Sequence, residues 1–82
     1  MTTSIKLFTT SGCHLCEQAA SMVSYLLANN PQMAKKFQLK EVEIANDDEL
    51  LEQYGVRIPV LLVENQELGW PFDFQELTDW LN

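Results

Sequence analysis

Two cysteines, Cys13 and Cys16, are the only ones in a chain of 82 residues, and both lie in the stretch Gly12-Cys13-His14-Leu15-Cys16. A disulfide across so short a loop removes almost no freedom from the unfolded chain, so the pair is not a staple. Small secreted scaffolds use more cysteines and spread them along the sequence. What this spacing does allow is exchange chemistry. If Cys13 caps the start of a helix, its sulfur faces the free amide hydrogens of Leu15 and Cys16. Those donors and the helix dipole favour thiolate over thiol. Cys16, one turn on, falls on the same face at about the separation a disulfide needs. One activated thiol and one resolving thiol are the minimal apparatus of thiol–disulfide exchange.

The residues alone leave other readings of the pair open. The cysteines could simply pack. Cys-x-x-Cys is also half of many zinc sites, but a structural zinc needs about two further ligands. The only other soft donor, His14, is adjacent to Cys13 and poorly placed for the same ion. A metal or iron–sulfur cluster shared between two chains needs no such intramolecular completion. His14 has two readings of its own: an imidazolium that lowers the Cys13 pKa, or an exposed residue at a helix start. Glu17 suits the helix dipole yet opposes a nearby thiolate. Cys13 is therefore expected to be acidified, but less than it would be in a basic chain.

The surrounding pattern supplies the elements that must position this motif. Ile5 to Phe8 reads as a strand running into the turn Thr9-Thr10-Ser11-Gly12. Leu15, Ala19, Met22, Val23 and Leu26 recur at helical steps up to Ala28, and Asn29-Asn30-Pro31 stops that helix. Phe37 to Ile44 alternates but changes phase near Lys40-Glu41, which indicates a bulge or a strand covered on both faces. Asn46 and Glu49 have capping-box spacing before a short helix that ends at Gly55. Val60-Leu61-Leu62-Val63 reads as a buried strand. Glu64 to Glu67 is a polar turn, and Leu68-Gly69-Trp70 a short returning strand. Asp73 and Glu76 cap a last helix with Phe74, Leu77, Trp80 and Leu81 on its apolar face; Phe74 and Trp80 are assigned to the core. Trp70 and Phe72 fit either the core or an apolar rim for a partner.

The order is β-α-β-α-β-β-α: an α/β domain over residues 1–82 with one four-stranded mixed sheet flanked by helices. At this length a single core is expected. A net charge of −7 argues against nucleic acid and anionic membranes as partners, and fits a basic face on a protein partner. The N-terminus lacks the apolar run of a signal peptide and no stretch reaches membrane-spanning length, so a cytoplasmic address is expected; a monomer is the separate expectation for its assembly.

The second signal is Arg57-Ile58-Pro59-Val60, a proline directly before a buried strand. Proline cannot donate to a ladder and so belongs at a strand's first residue. Arg57 could meet a substrate carboxylate, or could be a solvated residue ending the loop.

A strand, then Cys-x-x-Cys opening a helix, then X-Pro before a buried strand resembles the thioredoxin superfamily. The short chain with a single leading βαβ unit resembles glutaredoxins. The run Phe8-Thr9-Thr10-Ser11-Gly12-Cys13-His14-Leu15-Cys16-Glu17, with Gly69-Trp70-Pro71-Phe72-Asp73, is similar to a group of small glutaredoxin-like proteins. The resemblance implies a thiol–disulfide oxidoreductase with Cys13 attacking and Cys16 resolving, without a bound cofactor or metal. It implies that Ile58-Pro59 is a cis bond facing the cysteines, with the Ile58 backbone pairing to a substrate that is a disulfide-containing protein or small molecule such as glutathione. The alternative from another class is a thioredoxin-fold binding or redox-sensing protein, which could share a metal or iron–sulfur cluster between chains.

The chain also departs from glutaredoxins. It has His14-Leu15 where they carry Pro-Tyr, and Arg57-Ile58-Pro59 where they carry Thr-Val-Pro. Of their glutathione-holding residues, only Gly69 and Asp73 find a match, and no basic residue precedes Cys13. Dithiol exchange is thus better supported by the residues than glutathione binding.

Overall fold

Ile5, Leu7 and Phe8 determine where the middle of the molecule lies. They form strand β1 (Thr3–Thr9) of the computed structural model, which describes residues 2–82; Met1 of the expected 1–82 domain lies outside the described residues. Successive side chains of a strand face opposite ways, and in β1 both sides are covered. Ile5 and Leu7 are fully buried in a core shared with Ala19, Val23, Leu77 and Leu81, while Phe8 is buried with Ile44, Tyr54 and Val60. Helix α1 (His14–Ala28) and helix α4 (Phe74–Leu81) supply the first face, and helix α3 (Asp48–Tyr54) the second. The four strands lie in the order β2-β1-β3-β4, a mixed sheet flanked by helices.

Asn29 ends α1 as the sequence predicts, but the chain does not then pass into a loop. Asn30 Oδ1 accepts the Met33 amide at 3.3 Å, and Pro31 opens a short helix α2 (Pro31–Lys36) that the periodicity reading lacks. Proline lacks an N–H and has a helix-like φ, so the residue that stops one helix starts the next. Met33 alone of this helix is buried, too few positions for a period to show.

Strand β2 (Phe37–Glu43) runs parallel to β1 in unbroken register, from Thr3 opposite Phe37 to Thr9 opposite Glu43. There is no bulge. The phase change arises because Phe37 and Leu39 pack on the α1 side, and Val42 and Ile44 on the α3 side. The cap of α3 is Asp47 rather than Asn46: its Oδ1 accepts the Glu49 and Leu50 amides at 3.0 and 3.2 Å. A carboxylate there also suits the helix dipole. Gly55 ends α3 in ordinary right-handed geometry; glycine is needed because a Cβ would strike the Leu51 carbonyl oxygen.

Strand β3 (Val60–Val63) pairs antiparallel with β1 and with β4 (Gln66–Gly69). The turn between them is two residues, Glu64-Asn65, with Glu64 at φ 56°. Gln66 and Glu67 therefore belong to the returning strand and not to the turn. As exposed positions on an edge strand they carry no apolar signal. Asp73 caps α4 as predicted, accepting the Glu76 amide at 2.8 Å, and Phe72 joins the core. Trp80 is partly buried against that core, whereas Phe74 is 44% exposed and meets Tyr25 edge-on at 5.6 Å. Phe74 opens its helix, so its side chain lies at the margin and not over the sheet.

One polar cluster joins three elements. Tyr54, at the end of α3, stacks on Phe8 with ring centroids 4.2 Å apart and donates its hydroxyl to Glu67 Oε2 at 2.7 Å. Arg57 donates to Glu67 Oε1 at 2.6 Å, and its guanidinium lies 5.0 Å from the Tyr54 ring centroid. The Glu67 carboxylate thus ties β4 to the loop that enters Pro59. The Tyr54 hydroxyl, then Arg57, hold the Glu67 carboxyl below its usual pKa; the same hydrogen bond, with burial, pushes the Tyr54 hydroxyl up.

A depressed carboxyl pKa stabilises the fold above the unfolded-state value, about 4.3, and that contribution is lost as pH falls through the folded value. Glu67→Gln is therefore expected to be less stable than the parent at neutral pH, with the gap closing below about pH 4.3. Denaturant melts across pH check this, and a gap independent of pH would contradict it. Asp73→Ala should lose about 1 kcal/mol with the cap, a fall in Tm of roughly 4–8 °C for a domain of this size. Asp73→Asn, which keeps an acceptor, should stay within about 0.5 kcal/mol of the parent.

Candidate functional site

Beyond β1 the chain must reverse within a few residues to enter α1. Cys13 N–H donates to the Thr10 carbonyl at 3.3 Å, closing a turn, and Gly12 sits at φ 81°, which residues with a Cβ rarely adopt. This delivers Cys13 to the N-cap of α1 in extended geometry. Its Sγ accepts the Cys16 amide hydrogen at 3.2 Å, one of the two donors that the motif's spacing predicts. The two cysteines form a disulfide, their Cα atoms 5.2 Å apart. Their exposures differ. Cys16 is 1% exposed, whereas Cys13 is only partly buried and opens onto the surface.

His14 and Leu15 both point outward from the first turn. His14 Nδ1 lies 3.6 Å from Glu17 Oε2, and both side chains are largely exposed. Sheet register brings the second sequence signal to the same end of the molecule. Phe8 stands opposite Val60, so Pro59 lies beside the end of β1, from which the short turn leads to Cys13. The Ile58–Pro59 bond is cis and Pro59 is fully buried. Ile58 packs on the Phe8–Tyr54 cluster, and its N–H donates to the Tyr54 carbonyl at 3.0 Å. Trp70–Pro71 is a second cis bond.

Arg57 and Asp73 are placed differently. The Arg57 guanidinium is held by Glu67, and the Asp73 carboxylate caps α4. Among the described residues no hydrogen bond or ion pair joins either one to the cysteine motif. Nor do three or more His, Cys, Asp or Glu side chains among them gather as a metal-holding cluster.

Cys13 opens into a cleft of about 310 Å³ bounded by Thr9, Thr10, Ser11, Gly12, Glu17, Glu41 and Glu43. Sequence reasoning missed Glu41 and Glu43 as walls of the cleft that Cys13 lines. Their separation along the chain hides them, and only the parallel pairing of Leu7 with Glu41 and Thr9 with Glu43 brings them there. No helix is long and apolar enough to cross a membrane among the described residues.

Residues 4–82 match the family model described as Glutaredoxin-like domain (DUF836). No curated protein matches the chain. Among solved structures, protein XcR50 of X. campestris, determined by X-ray, is 33% identical with a TM-score of 0.77, covering 94% of this chain and 93% of that one. The solution structure of Ne2328 from Nitrosomonas europaea is 25% identical with a TM-score of 0.78, covering 100% of this chain and 94% of that one. The germline-specific thioredoxin Deadhead of Drosophila melanogaster is 25% identical with a TM-score of 0.61, covering 98% of this chain and 78% of that one. The fold is that of thioredoxin, and its Cys-x-x-Cys pair is compatible with redox activity. With the family match spanning all but the first few residues, the chain belongs to the glutaredoxin-like family of the DUF836 type.

Proposed function

We propose that this protein is a thiol–disulfide oxidoreductase that works through Cys13 and Cys16. The observation that carries this reading is the inequality of the two sulfurs at one helix start. Cys13 is reachable and receives an amide hydrogen bond, while Cys16 is buried behind it. A substrate can approach one sulfur only, and the second acts from within.

In the oxidised form, a substrate thiolate attacks Cys13 Sγ. The Cys13–Cys16 bond breaks, a mixed disulfide forms, and Cys16 leaves as thiolate. A second substrate thiolate then attacks its partner sulfur in the mixed disulfide, releasing Cys13 as thiolate and leaving the substrate as a disulfide. Two electrons pass from substrate to protein, and the two substrate thiol protons end on the cysteine thiols or in solvent. Run backwards, the same steps reduce a substrate disulfide. The departing Cys13 thiolate is stabilised by the Cys16 amide and the helix dipole.

Ile58 and Pro59 form the neighbouring wall. Since the Ile58 N–H is taken by Tyr54, a substrate strand would pair with the Ile58 carbonyl. The substrate is a disulfide-bearing protein or small molecule, the protein acts as a monomer, and the chemistry suits a reducing compartment such as the cytoplasm. Glutathione use has little support in the residues present, because Arg57 and Asp73, the side chains available to hold its charged ends, are engaged by Glu67 and by the Glu76 amide.

Single-cysteine variants test the assignment. Pre-reduced Cys16→Ser mixed with hydroxyethyl disulfide should acquire one mixed-disulfide adduct at Cys13, seen by intact mass. Cys13→Ser should react at least about tenfold more slowly, since its remaining thiol is buried. Equal or reversed rates would overturn the roles, and a parent protein unable to reduce hydroxyethyl disulfide or insulin would overturn the function.

A further inference from the structure

We infer that the Cys13 cleft selects substrates whose disulfide is flanked by basic residues, and that it disfavours anionic disulfides such as oxidised glutathione. This rests on the redox reading above and names its substrate class. Carboxylates alone on a surface would be a solvated face. Here Cys13 lines the same cleft as Glu17, Glu41 and Glu43, so a substrate group that occupies this cleft meets their carboxylates.

Among the described residues, this charge lacks a lysine or arginine counterpart. Glu41 and Glu43 are two residues apart on β2, an edge strand, and share its α1-side face with Leu39. Glu17 projects from the first turn of α1 toward the same opening. The chain has five Lys and Arg residues. Lys6 and Lys40 are register partners on the opposite face, in phase with Phe8 and Val42, which pack on the α3 side. Lys35 and Lys36 end α2 at the far end of the sheet, where Thr3 meets Phe37. Arg57 is held by Glu67. His14, next to Cys13 in the chain, does not line the cleft; its Nδ1 faces Glu17 Oε2 at 3.6 Å.

Acids therefore gather at the reactive end and cations elsewhere. A substrate carrying carboxylates next to its disulfide meets like charge at short range, whereas lysines or arginines there meet opposite charge. Thr9, Thr10 and Ser11 add hydroxyls to the same rim, which suits a polar chain segment better than an apolar one.

The exchange step itself is unchanged. The Cys13 thiolate of the reduced protein attacks one substrate sulfur, the substrate disulfide breaks, and a mixed disulfide forms. Cys16 then closes the protein disulfide and releases the substrate dithiol.

Three synthetic peptides test this, each with one intramolecular disulfide and flanks of lysine, glutamine or glutamate. Each is mixed with the reduced protein, and each rate is divided by that peptide's rate with a neutral small thiol. At about 10 mM salt, where the screening length is about 30 Å, the lysine peptide should react at least about tenfold faster than the glutamate peptide. The ratio should approach one at about 1 M salt, where screening falls to about 3 Å. It should also fall in the double variant Glu41→Gln/Glu43→Gln. Glu43 accepts the Ala45 amide hydrogen at 3.0 Å, and the side-chain carbonyl of a glutamine at that position can still accept it. Glutamine-peptide reduction without any charge order, or a preference that survives both high salt and the double variant, overturns the inference alone. If hydroxyethyl disulfide is reduced and none of the three peptides is, the inference alone falls; if nothing is reduced, the redox reading falls and the inference with it.

Discussion

Burial of β1 on both faces is the constraint from which the rest of the molecule follows. Ile5 and Leu7 are sealed by α1 and α4, and Phe8 by Tyr54, Ile44 and Val60. Each such side chain contributes on the order of 1.5–3 kcal/mol when fully buried, so displacing either layer exposes the other's anchor strand. Because β1 also pairs with β2 on one edge and β3 on the other, it sets the position of both neighbours. The cysteine motif is attached to the end of this strand by a turn of a few residues. Its location is therefore determined by the best-held element of the fold.

That placement explains why so small a protein can keep two chemically similar sulfurs distinct. The turn at Gly12 puts Cys13 at the N-cap, outside the helix proper, while Cys16 lies one turn in, on the side of α1 that faces the sheet. Helical periodicity turns a spacing of three residues into one exposed and one buried position. The amide that helix geometry leaves unpaired at this end then points at the exposed sulfur. The asymmetry arises from backbone geometry and does not draw on the outward-facing His14-Leu15 pair between the cysteines.

The polar cluster of Tyr54, Arg57 and Glu67 performs a different task. The strand that follows Pro59 enters from a loop, and loops are where position is least constrained by packing. Glu67 anchors that loop from the adjacent strand β4, with two donors on one carboxylate and the Tyr54 ring stacked on Phe8 beneath. Arg57 thereby helps hold the loop that leads into Pro59. The uncompensated charge around Cys13 comes from other acids.

Much of this is legible in the residues themselves. The helix start at Cys13, the stop at Asn29, the cap at Asp73 and the burial of Val60 and Leu61 depend on side chains within a few positions of one another. Local sterics and hydrogen bonding decide such features. The extra helix at Pro31 and the cap at Asp47 are ambiguous even locally: a proline that ends one helix also suits the start of the next, and adjacent Asn46 and Asp47 compete for one cap. The order of residues alone was enough for the cysteine pair at a helix start, the succession of most elements and the inequality of Cys13 and Cys16. It took the folded arrangement to place Arg57 against Glu67, Phe74 at a margin, and Glu41 and Glu43 in the cleft that Cys13 lines. Those relations cross between strands or helices, and which residues meet there is set by register and packing, which spacing along the chain does not encode.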